Sequence, residues 1–185
     1  MAAAGRETEI KLPFPSAAEA ASRLLSLGAR LLRERELEDN VLYDFPGDDL
    51  RSGGRMLRLR RAGGVGILTF KGPVQGKFRH KVREERETGI EDAGASARIL
   101  EGLGLVPKYR YQKYRAVFEI DGLEASVDET PLGCFVELEG DEEAIDRIAA
   151  TLGFGPDRYV LLTYRQIHEE AAASRGVEPG DLLFP

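Results

Sequence analysis

The chain opens with a segment in which neutral and charged positions alternate. In residues 7–12, neutral side chains occupy the even positions, and Glu7, Glu9 and Lys11 occupy the odd ones. Side chains of a β-strand point alternately to its two faces, so this segment predicts a strand with one apolar and one charged face. In a single strand of this kind, the apolar face usually meets the core and the charged face meets solvent.

The same alternation returns in five later segments, at residues 57–60, 69–71, 83–87, 113–115 and 136–139. With apolar content and turn signals included, the pattern predicts strands over residues 29–45, 56–62, 65–71, 80–89, 106–120, 123–129 and 135–140. Asp121-Gly122 is a tight-turn signal that joins two strands as an antiparallel hairpin. Helical spacing and end signals predict helices over residues 17–27, 91–103, 141–152 and 159–173.

The charged faces of these strands carry both signs equally, with seven acids and seven bases. The acids are Glu7, Glu9, Glu85, Glu87, Asp128, Glu137 and Glu139, and the bases are Lys11, Arg58, Arg60, Lys71, Arg83, Lys113 and Arg115. A solvated sheet does not need this balance, whereas a closed, water-filled interior that binds a polyanion and its metal ions does. We therefore predict an α+β fold, in which a closed antiparallel β-barrel forms a tunnel with a charged interior and helices pack outside.

The two sets of side chains suit two kinds of ligand. Basic side chains hold phosphates, and arginine can contact a phosphate through two parallel hydrogen bonds. Carboxylates hold hard divalent cations, which prefer oxygen ligands. Among the bases, we expect Arg58, Arg60 and Arg115 to be the main phosphate contacts.

Composition limits the classes of protein to which the chain can belong. Its 185 residues suit one sizeable core, and we predict a single domain over residues 1–173 followed by a tail over residues 174–185. The net charge of -6 argues against a nucleic-acid partner. Cys134 is the only cysteine, so no intrachain disulfide can form. Without a signal peptide or a long apolar run, we expect a cytoplasmic protein with no membrane partner.

The charged motifs, taken in order, resemble a known family. Glu-x-Glu-x-Lys is followed by Leu-Arg-Leu-Arg, Leu-Thr-Phe-Lys-Gly-Pro, Arg-x-Glu-x-Glu, Lys-x-Arg, Val-Asp and Glu-Leu-Glu, all between Glu7 and about Leu162. This set resembles the CYTH, or triphosphate tunnel metalloenzyme, superfamily, which includes class IV adenylyl cyclases, thiamine triphosphatases and inorganic tripolyphosphatases. The compact length and the Leu-Thr-Phe-Lys-Gly-Pro segment look most like the class IV adenylyl cyclase branch.

The resemblance, together with the positions on the strands, implies a role for each charged residue. The main metal site, for Mg²⁺ or Mn²⁺, would consist of Glu7, Glu9, Glu137 and Glu139. The phosphates would be bound by Lys11, Arg58, Arg60, Lys71, Arg83, Lys113 and Arg115. The catalytic residues would be Lys11, Glu85, Glu87 and Asp128. The three acids among them would complete a second metal site or orient the nucleophile.

Three functions remain open for a partner that is a small-molecule triphosphate. We expect first a class IV-type adenylyl cyclase, which converts ATP to cyclic AMP and pyrophosphate. A triphosphatase would instead direct water at the terminal phosphate of inorganic triphosphate, thiamine triphosphate or a nucleotide. A non-catalytic module would only bind polyphosphate or nucleotide, and the full set of acids argues against it because fewer carboxylates would favour anion binding.

Four further segments are predicted less directly, and two of them allow more than one interpretation. We expect the charged residues 33–39 to lie on an exposed strand. Tyr109 and Tyr111 would form either the apolar lip of a pocket for a base or thiazolium, or part of the core. Residues 72–77 are predicted to be a mobile loop near the tunnel mouth, with Lys77 as surface charge. The apolar tail would dock on the body or on a partner, which leaves a homodimer open.

Overall fold

Eight antiparallel strands close into a barrel in the computed structural model, which describes residues 5–75 and 79–185. The strands are β1 (Gly5–Phe14), β2 (Arg30–Asp44), β3 (Met56–Ala62), β4 (Val65–Val74), β5 (Lys81–Ile90), β6 (Val106–Ile120), β7 (Leu123–Thr130) and β8 (Gly133–Glu139). Around the barrel they follow the order β1, β5, β4, β3, β2, β6, β7, β8, and β1 closes the ring by pairing with β8.

Five α-helices of the described residues lie outside the barrel. They are α1 (Ala17–Ser26), α2 (Asp49–Ser52), α3 (Ala93–Gly102), α4 (Glu142–Thr151) and α5 (Tyr164–Ala173). The predicted fold class, an α+β closed antiparallel barrel with helices outside, is confirmed. Within residues 5–75 and 79–185, no helix combines the length and the apolar content needed to cross a membrane.

The main apolar core lies between the barrel wall and the helices. Ile10 and Leu12 of β1 and Leu138 of β8 are fully buried there, in one cluster with Leu24 of α1 and Ile145 of α4. These strand residues alternate with charged ones, and successive side chains of a strand point to opposite faces. Because the apolar side chains meet the helices, the charged side chains point into the barrel.

The last helix begins at Tyr164, later than the predicted residue 159. Val160 is paired with β1 through two backbone hydrogen bonds, from Lys11 N to Val160 O at 3.0 Å and from Val160 N to Lys11 O at 2.9 Å. This pairing keeps the segment before α5 extended. Thr163 then caps the helix, because its Oγ1 accepts a hydrogen bond from Gln166 N at 3.2 Å.

The predicted loop over residues 72–77 is in part a strand. β4 continues to Val74, which pairs with Arg83 of β5 after an irregularity in the register. Gln75 N then donates a hydrogen bond to Val82 O at 2.8 Å. The last two residues of the predicted loop, Gly76 and Lys77, lie outside the described residues.

The C-terminal tail docks on the body of the protein. Leu182 forms an isolated parallel bridge with β6, through hydrogen bonds of 2.9 Å to Arg110 O and from Gln112 N. Its side chain is buried against Tyr111. The tail therefore covers the first half of β6, on the edge opposite the one that pairs with β2.

Candidate active site

The inward faces of the strands enclose a cavity of about 330 Å³. Every residue that the sequence predicts as a site residue lines this cavity, with the exception of Asp128. They are Glu7, Glu9, Lys11, Arg58, Arg60, Lys71, Arg83, Glu85, Glu87, Lys113, Arg115, Glu137 and Glu139. The barrel therefore brings them together in one enclosed space, while the roles assigned to them remain predictions.

Strand register explains how residues from the two ends of the sequence meet. In the β1–β8 pair, Glu9 lies opposite Glu139, and Lys11 lies opposite Glu137. Side chains directly opposite one another in an antiparallel pair share a face and lie within contact distance. This register therefore places three of the four predicted metal ligands on one patch of the wall, with Lys11 among them.

Lys11 holds two of these acids in their ionised form. Its Nζ lies 3.2 Å from Glu9 Oε1 and 2.9 Å from Glu137 Oε2, and Lys81 also contacts Glu9 Oε1. Burial alone would raise the pKa of both carboxyls, but the neighbouring cations outweigh it and lower the pKa of Glu9 and Glu137 below the ordinary range. These two side chains therefore carry negative charge at neutral pH.

Glu139 and Glu7 are in the opposite situation. Burial, together with the carboxylates of Glu7 and Glu137, raises the pKa of Glu139 to about 8. Burial also raises the pKa of Glu7 to about 7, although Lys71 contacts its Oε1. Glu7 Oε2 has no hydrogen-bond partner among the described residues. This part of the cavity therefore contains more acid than its described cations neutralise.

The donor set fits a hard divalent cation by its chemistry. All four predicted ligands offer carboxylate oxygens, and a cation beside Glu139 and Glu7 would offset the burial and the carboxylate repulsion that raise their pKa values. In the part of the chain that the structure describes, however, no three acids, histidines or cysteines already converge on one point. Lys11, Lys71 and Lys81 each contact at least one of these carboxylates, so a cation that used the contacted oxygens would displace a lysine.

Arg58 lies across the cavity, on β3. Its Nη2 donates hydrogen bonds to Thr69 Oγ1 at 3.1 Å and to Glu87 Oε2 at 3.5 Å, and its Nη1 donates to the Tyr111 hydroxyl at 3.4 Å. Its buried Nε has no partner among the described residues. The guanidinium is thus held in place and keeps donor capacity for a phosphate oxygen.

The two predicted catalytic glutamates of β5 line the cavity and are more exposed than the lining acids of β1. Glu85 Oε2 lies 2.9 Å from Lys71 Nζ, and Glu87 Oε2 accepts a hydrogen bond from Thr69 Oγ1 at 2.8 Å. Their side chains are 19% and 33% exposed, whereas that of Glu9 is 5% exposed. They are therefore more open to water than the acids of β1.

Asp128 lies behind the bases instead of in the cavity. It is fully buried, and its Oδ1 and Oδ2 each accept a hydrogen bond of 2.6 Å from Arg115. Its Oδ2 also accepts from Lys113 Nζ at 2.9 Å and from the Tyr164 hydroxyl at 2.6 Å. In this arrangement Asp128 reaches the cavity only through these partners, which it holds in place.

The sequence analysis expected the whole charged run at residues 33–39 to be exposed, but part of this run is buried. Glu38 is 1% exposed, and its Oε1 accepts a hydrogen bond from Arg60 Nη1 at 3.1 Å inside the barrel. The register shifts between Leu31 and Glu36, and regular pairing with β6 begins at Glu36. Before that point β2 is exposed, and after it β2 is part of the wall.

Other inward residues were missed or left undecided by sequence reasoning. Lys81 lines the cavity and stands two positions before Arg83 on the same strand, so the period of β5 would have identified it. Tyr111 lines the cavity, whereas the hydroxyl of Tyr109 lies 2.9 Å from His168 Nδ1 in a buried cluster. Tyr164 also lines the cavity, and no periodic pattern predicts it because it starts a helix.

A second, larger cavity of about 900 Å³ adjoins the first. The two share Met56, Lys81, Arg83, Tyr111, Thr163 and Tyr164. Apolar side chains such as Leu57, Val74, Leu161 and Leu162 line much of the second cavity, and Arg51, Arg55, Lys108 and Arg165 also contribute to it. The charged tunnel therefore continues into a chamber of mixed apolar and basic character.

Comparison with known proteins agrees with this architecture. A Methanocaldococcus jannaschii protein with the name "Putative adenylate cyclase" is 32% identical over 134 residues, which cover 72% of this chain and 75% of that protein. A solved Pyrococcus horikoshii structure is 25% identical with a TM-score of 0.75, covering 89% of this chain and 99% of that one. A Hippeastrum structure, whose description reports a dominant triphosphatase activity, is 21% identical with a TM-score of 0.64, covering 94% of this chain and 96% of that one.

The family itself follows from the match over most of the sequence. The CYTH domain model matches residues 5–152, from the first residue of β1 to the C-terminal end of α4. This span contains the whole barrel and every residue that the sequence predicts as part of the site. The chain therefore belongs to the CYTH domain family.

Proposed function

We propose that this protein is a divalent-metal-dependent enzyme that acts on the triphosphate of ATP inside the tunnel, as a class IV-type adenylyl cyclase. The observation that carries the proposal is the cavity inside the barrel, which thirteen of the fourteen predicted acidic and basic site residues line together. A triphosphate is strongly anionic, and phosphoryl transfer depends mainly on positioning and on spreading that charge. A cavity lined by Lys and Arg supports this chemistry because cationic donors that are already in place can stabilise the charge of the phosphates.

The bases would act as the phosphate clamp. Arg58 is held by Thr69 and Tyr111, and Arg115 is held by Asp128, so both guanidinium groups are oriented before substrate arrives. Preorganised donors of this kind stabilise developing charge without a further cost of reorganisation. Lys11, Lys71 and Lys113 would add positive charge that can adjust to the position of the phosphates, because an ammonium group can rotate among several acceptors.

Glu7, Glu9, Glu137 and Glu139 would hold the metal ion, which supplies charge neutralisation and polarisation of the phosphate oxygens when bound. Mg²⁺ and Mn²⁺ both suit such a carboxylate set. Arrival of the phosphates gives Lys11 and Lys71 new anionic partners. Their departure from the carboxylates would then free those oxygens, so binding of substrate and metal is expected to be cooperative.

The second cavity favours a triphosphate that carries an organic group. Tyr111 and Tyr164 stand between the charged tunnel and the larger chamber, whose apolar side chains suit an aromatic base. Inorganic triphosphate would leave this chamber unused. In the cyclase reaction, the ribose 3′-oxygen bonds to the α-phosphorus, pyrophosphate leaves, and the hydroxyl proton is released, with Glu85 or Glu87 as the proton acceptor.

A triphosphatase activity is the second candidate. Glu85 and Glu87 are more exposed than the acids of β1, so they could orient a water molecule at a terminal phosphate. The fold is compatible with this outcome, because the Hippeastrum protein that shares it is described by its triphosphatase activity. The same clamp residues serve both reactions, and the two differ in which phosphorus lies beside the nucleophile.

Product analysis separates these activities. The protein is incubated with ATP, and separately with tripolyphosphate, in Mg²⁺ or Mn²⁺ and with a chelator control. Cyclic AMP with pyrophosphate supports the cyclase, and orthophosphate supports the triphosphatase. Binding without turnover would contradict both activities and support a non-catalytic module.

A variant pair tests whether the tunnel is the site. Arg83→Ala removes an inward base of β5, whereas Arg86→Ala removes an outward base of the same strand that is paired with Glu84. We expect about a 100-fold loss of kcat/KM in the first and little change in the second. Equal activity of the two variants would contradict the placement of the site.

A further inference from the structure

Glu38 is a buried acid in the tunnel wall that belongs neither to the proposed metal ligands nor to the catalytic glutamates. Its Oε1 accepts a hydrogen bond from Arg60 Nη1 at 3.1 Å, and its Oε2 lies 3.5 Å from Lys113 Nζ. The strand register places it directly opposite Lys113. Glu38 therefore bridges two members of the phosphate clamp from behind.

Asn40 completes this arrangement two positions later on the same face of β2. It is fully buried and lies opposite Arg60, whose Nε donates a hydrogen bond of 3.2 Å to Asn40 Oδ1. Two of the three Arg60 nitrogens are thus occupied by β2, and Arg60 still lines the cavity. The third nitrogen, Nη2, bonds neither Glu38 nor Asn40, so it is the one that could contact a ligand.

The charge of Glu38 matters because cations crowd around it. Arg58, Arg60, Lys113 and Arg115 all lower its pKa, to about 2 against the effect of burial, so it is ionised at neutral pH. Burial and the neighbouring Arg58 in turn lower the pKa of Arg60. The base-lined side of the tunnel therefore carries less net positive charge than its arginines and lysines alone would supply.

We propose that Glu38 is a positioning residue that orients Arg60 and, through its negative charge, limits how tightly the tunnel holds phosphate. The inference rests on the proposed triphosphate function. Without the charge of Glu38, the cluster of Arg58, Arg60, Lys113 and Arg115 around it would bind triphosphate and released products more tightly, which would slow turnover. Glu38 subtracts one charge at the clamp while keeping the Arg60 side chain aimed into the cavity.

Two isosteric substitutions of opposite sign test this proposal. Glu38→Gln removes the charge and keeps an oxygen acceptor for Arg60, whereas Asn40→Asp adds a charge and keeps the acceptor. Tripolyphosphate binding is measured by calorimetry without metal at fixed ionic strength, so that no turnover occurs. We expect the Kd to fall about tenfold for Glu38→Gln and to rise about tenfold for Asn40→Asp. Glu34→Gln, which removes the same charge from an exposed position on β2, should leave the Kd unchanged.

The direction of the changes separates this role from a purely structural one. A residue that only holds the fold would weaken binding in both variants, and that result would overturn the proposal, as would an unchanged Kd for Glu38→Gln. Should Glu38→Gln fail to fold, Asn40→Asp and Glu34→Gln still decide, because equal affinities for those two would contradict it. Wild-type protein that does not bind tripolyphosphate at all would instead contradict the proposed function.

Steady-state kinetics with ATP provide a second readout. Glu38→Gln should show a lower KM without a higher kcat, together with stronger inhibition by added pyrophosphate. A lower KM without a higher kcat is expected if the charge of Glu38 limits affinity, whereas misplacement of Arg60 would raise KM. An increase in KM with unchanged pyrophosphate inhibition would overturn the proposal.

Discussion

The hydroxyl of Tyr164 donates a hydrogen bond of 2.6 Å to Asp128 Oδ2, which joins the first residue of α5 to a buried carboxylate of β7. The Tyr164 ring also lies near two ammonium groups, with Lys11 Nζ at 5.4 Å and Lys113 Nζ at 5.2 Å from its centroid. Burial, together with the charge of Asp128, raises the pKa of Tyr164, so it remains a donor. The start of α5 is thus bonded to the residue that holds Lys113 and Arg115 of the proposed phosphate clamp.

Tyr164→Phe should therefore affect both stability and catalysis. The variant removes a hydrogen bond to a charged acceptor, and we expect the free energy of unfolding to fall by about 2 kcal/mol. It also leaves Asp128 with only Lys113 and Arg115 as partners, so we expect kcat/KM to fall about tenfold as the clamp loses its orientation. Urea unfolding and steady-state assays measure the two effects.

Tyr159→Phe is the matched control. Its hydroxyl donates a hydrogen bond of 3.0 Å to Asp146 Oδ1, and Tyr159 lines neither of the two cavities described above. This variant should lose stability by about 1 kcal/mol and keep its activity. Comparable losses of activity in both variants would show that Tyr164 acts only through stability.

Glu9→Gln tests the metal site. The substitution preserves the size of a buried side chain and removes the charge that Lys11 and Lys81 neutralise. We expect activity to fall at least about 100-fold at any Mn²⁺ or Mg²⁺ concentration, because a ligand oxygen loses its charge and the lysines repel the cation. The rate is measured across a metal titration. Glu84→Gln, at an outward position on β5, should retain the wild-type metal dependence, and a wild-type titration for Glu9→Gln would contradict the assignment.

Stability without metal should decrease as the pH rises from 5 to 8. Glu7 and Glu139 have folded pKa values of about 7 and about 8, above the ordinary value of 4.5. Over this interval the folded protein binds more protons than the unfolded chain, so the stability contributed by these groups is full below pH 4.5 and is lost through pH 7 to 8. We expect the Tm of chelator-treated protein to fall by on the order of 5 °C.

Glu139→Gln isolates this contribution from other titrating groups. The variant has no carboxyl to deprotonate at this position, so its Tm should depend less on pH than that of the wild type. For the wild-type protein at pH 8, added Mg²⁺ should raise the Tm back towards its value at pH 5, because a cation offsets the repulsion between the carboxylates. Parallel pH profiles for the two proteins would contradict the raised pKa of Glu139.

The sequence predicted the charged interior because strand periodicity determines which side chains share a face. Glu9 and Lys11 alternate with Ile10 and Leu12, and this alternation is enough to place the charges opposite the helices. Asp128 has the same period but not the same environment. Alternation indicates only the face of the strand on which a side chain lies. How deeply Asp128 is buried also depends on Tyr164, which belongs to a helix distant in the sequence.

Glu38 shows a second limit of the same reasoning. It lies in a run of charged residues whose composition predicts an exposed strand, and part of that run is indeed exposed. The shift in register between Leu31 and Glu36 determines where β2 enters the wall, and it depends on pairing with β6. A local pattern carries no information about a partner strand some seventy residues away in the chain, so the buried acid could not be distinguished from its exposed neighbours.

The tail offers the last prediction, because Leu182 supports the wall between the two cavities. Its side chain is 4% exposed and packs in one cluster with Tyr111, which lines both cavities. Leu182→Ala should weaken this support, with a cost of about 2 to 3 kcal/mol in unfolding free energy. If the chamber holds the base of ATP, the KM for ATP should rise about tenfold, while the Kd for tripolyphosphate should rise less, because Thr69 and Glu87 still hold Arg58 when Tyr111 is weakened.

Leu183→Ala is the control for this variant, because the neighbouring side chain is 36% exposed. It should leave both stability and KM nearly unchanged. The two ligands separate the two cavities, since under the proposed function tripolyphosphate would contact the clamp alone and ATP would contact both the clamp and the chamber. Equal weakening of both ligands by Leu182→Ala would mean that the tail supports the whole barrel, and it would remove the distinction between tunnel and chamber on which the choice of ATP depends.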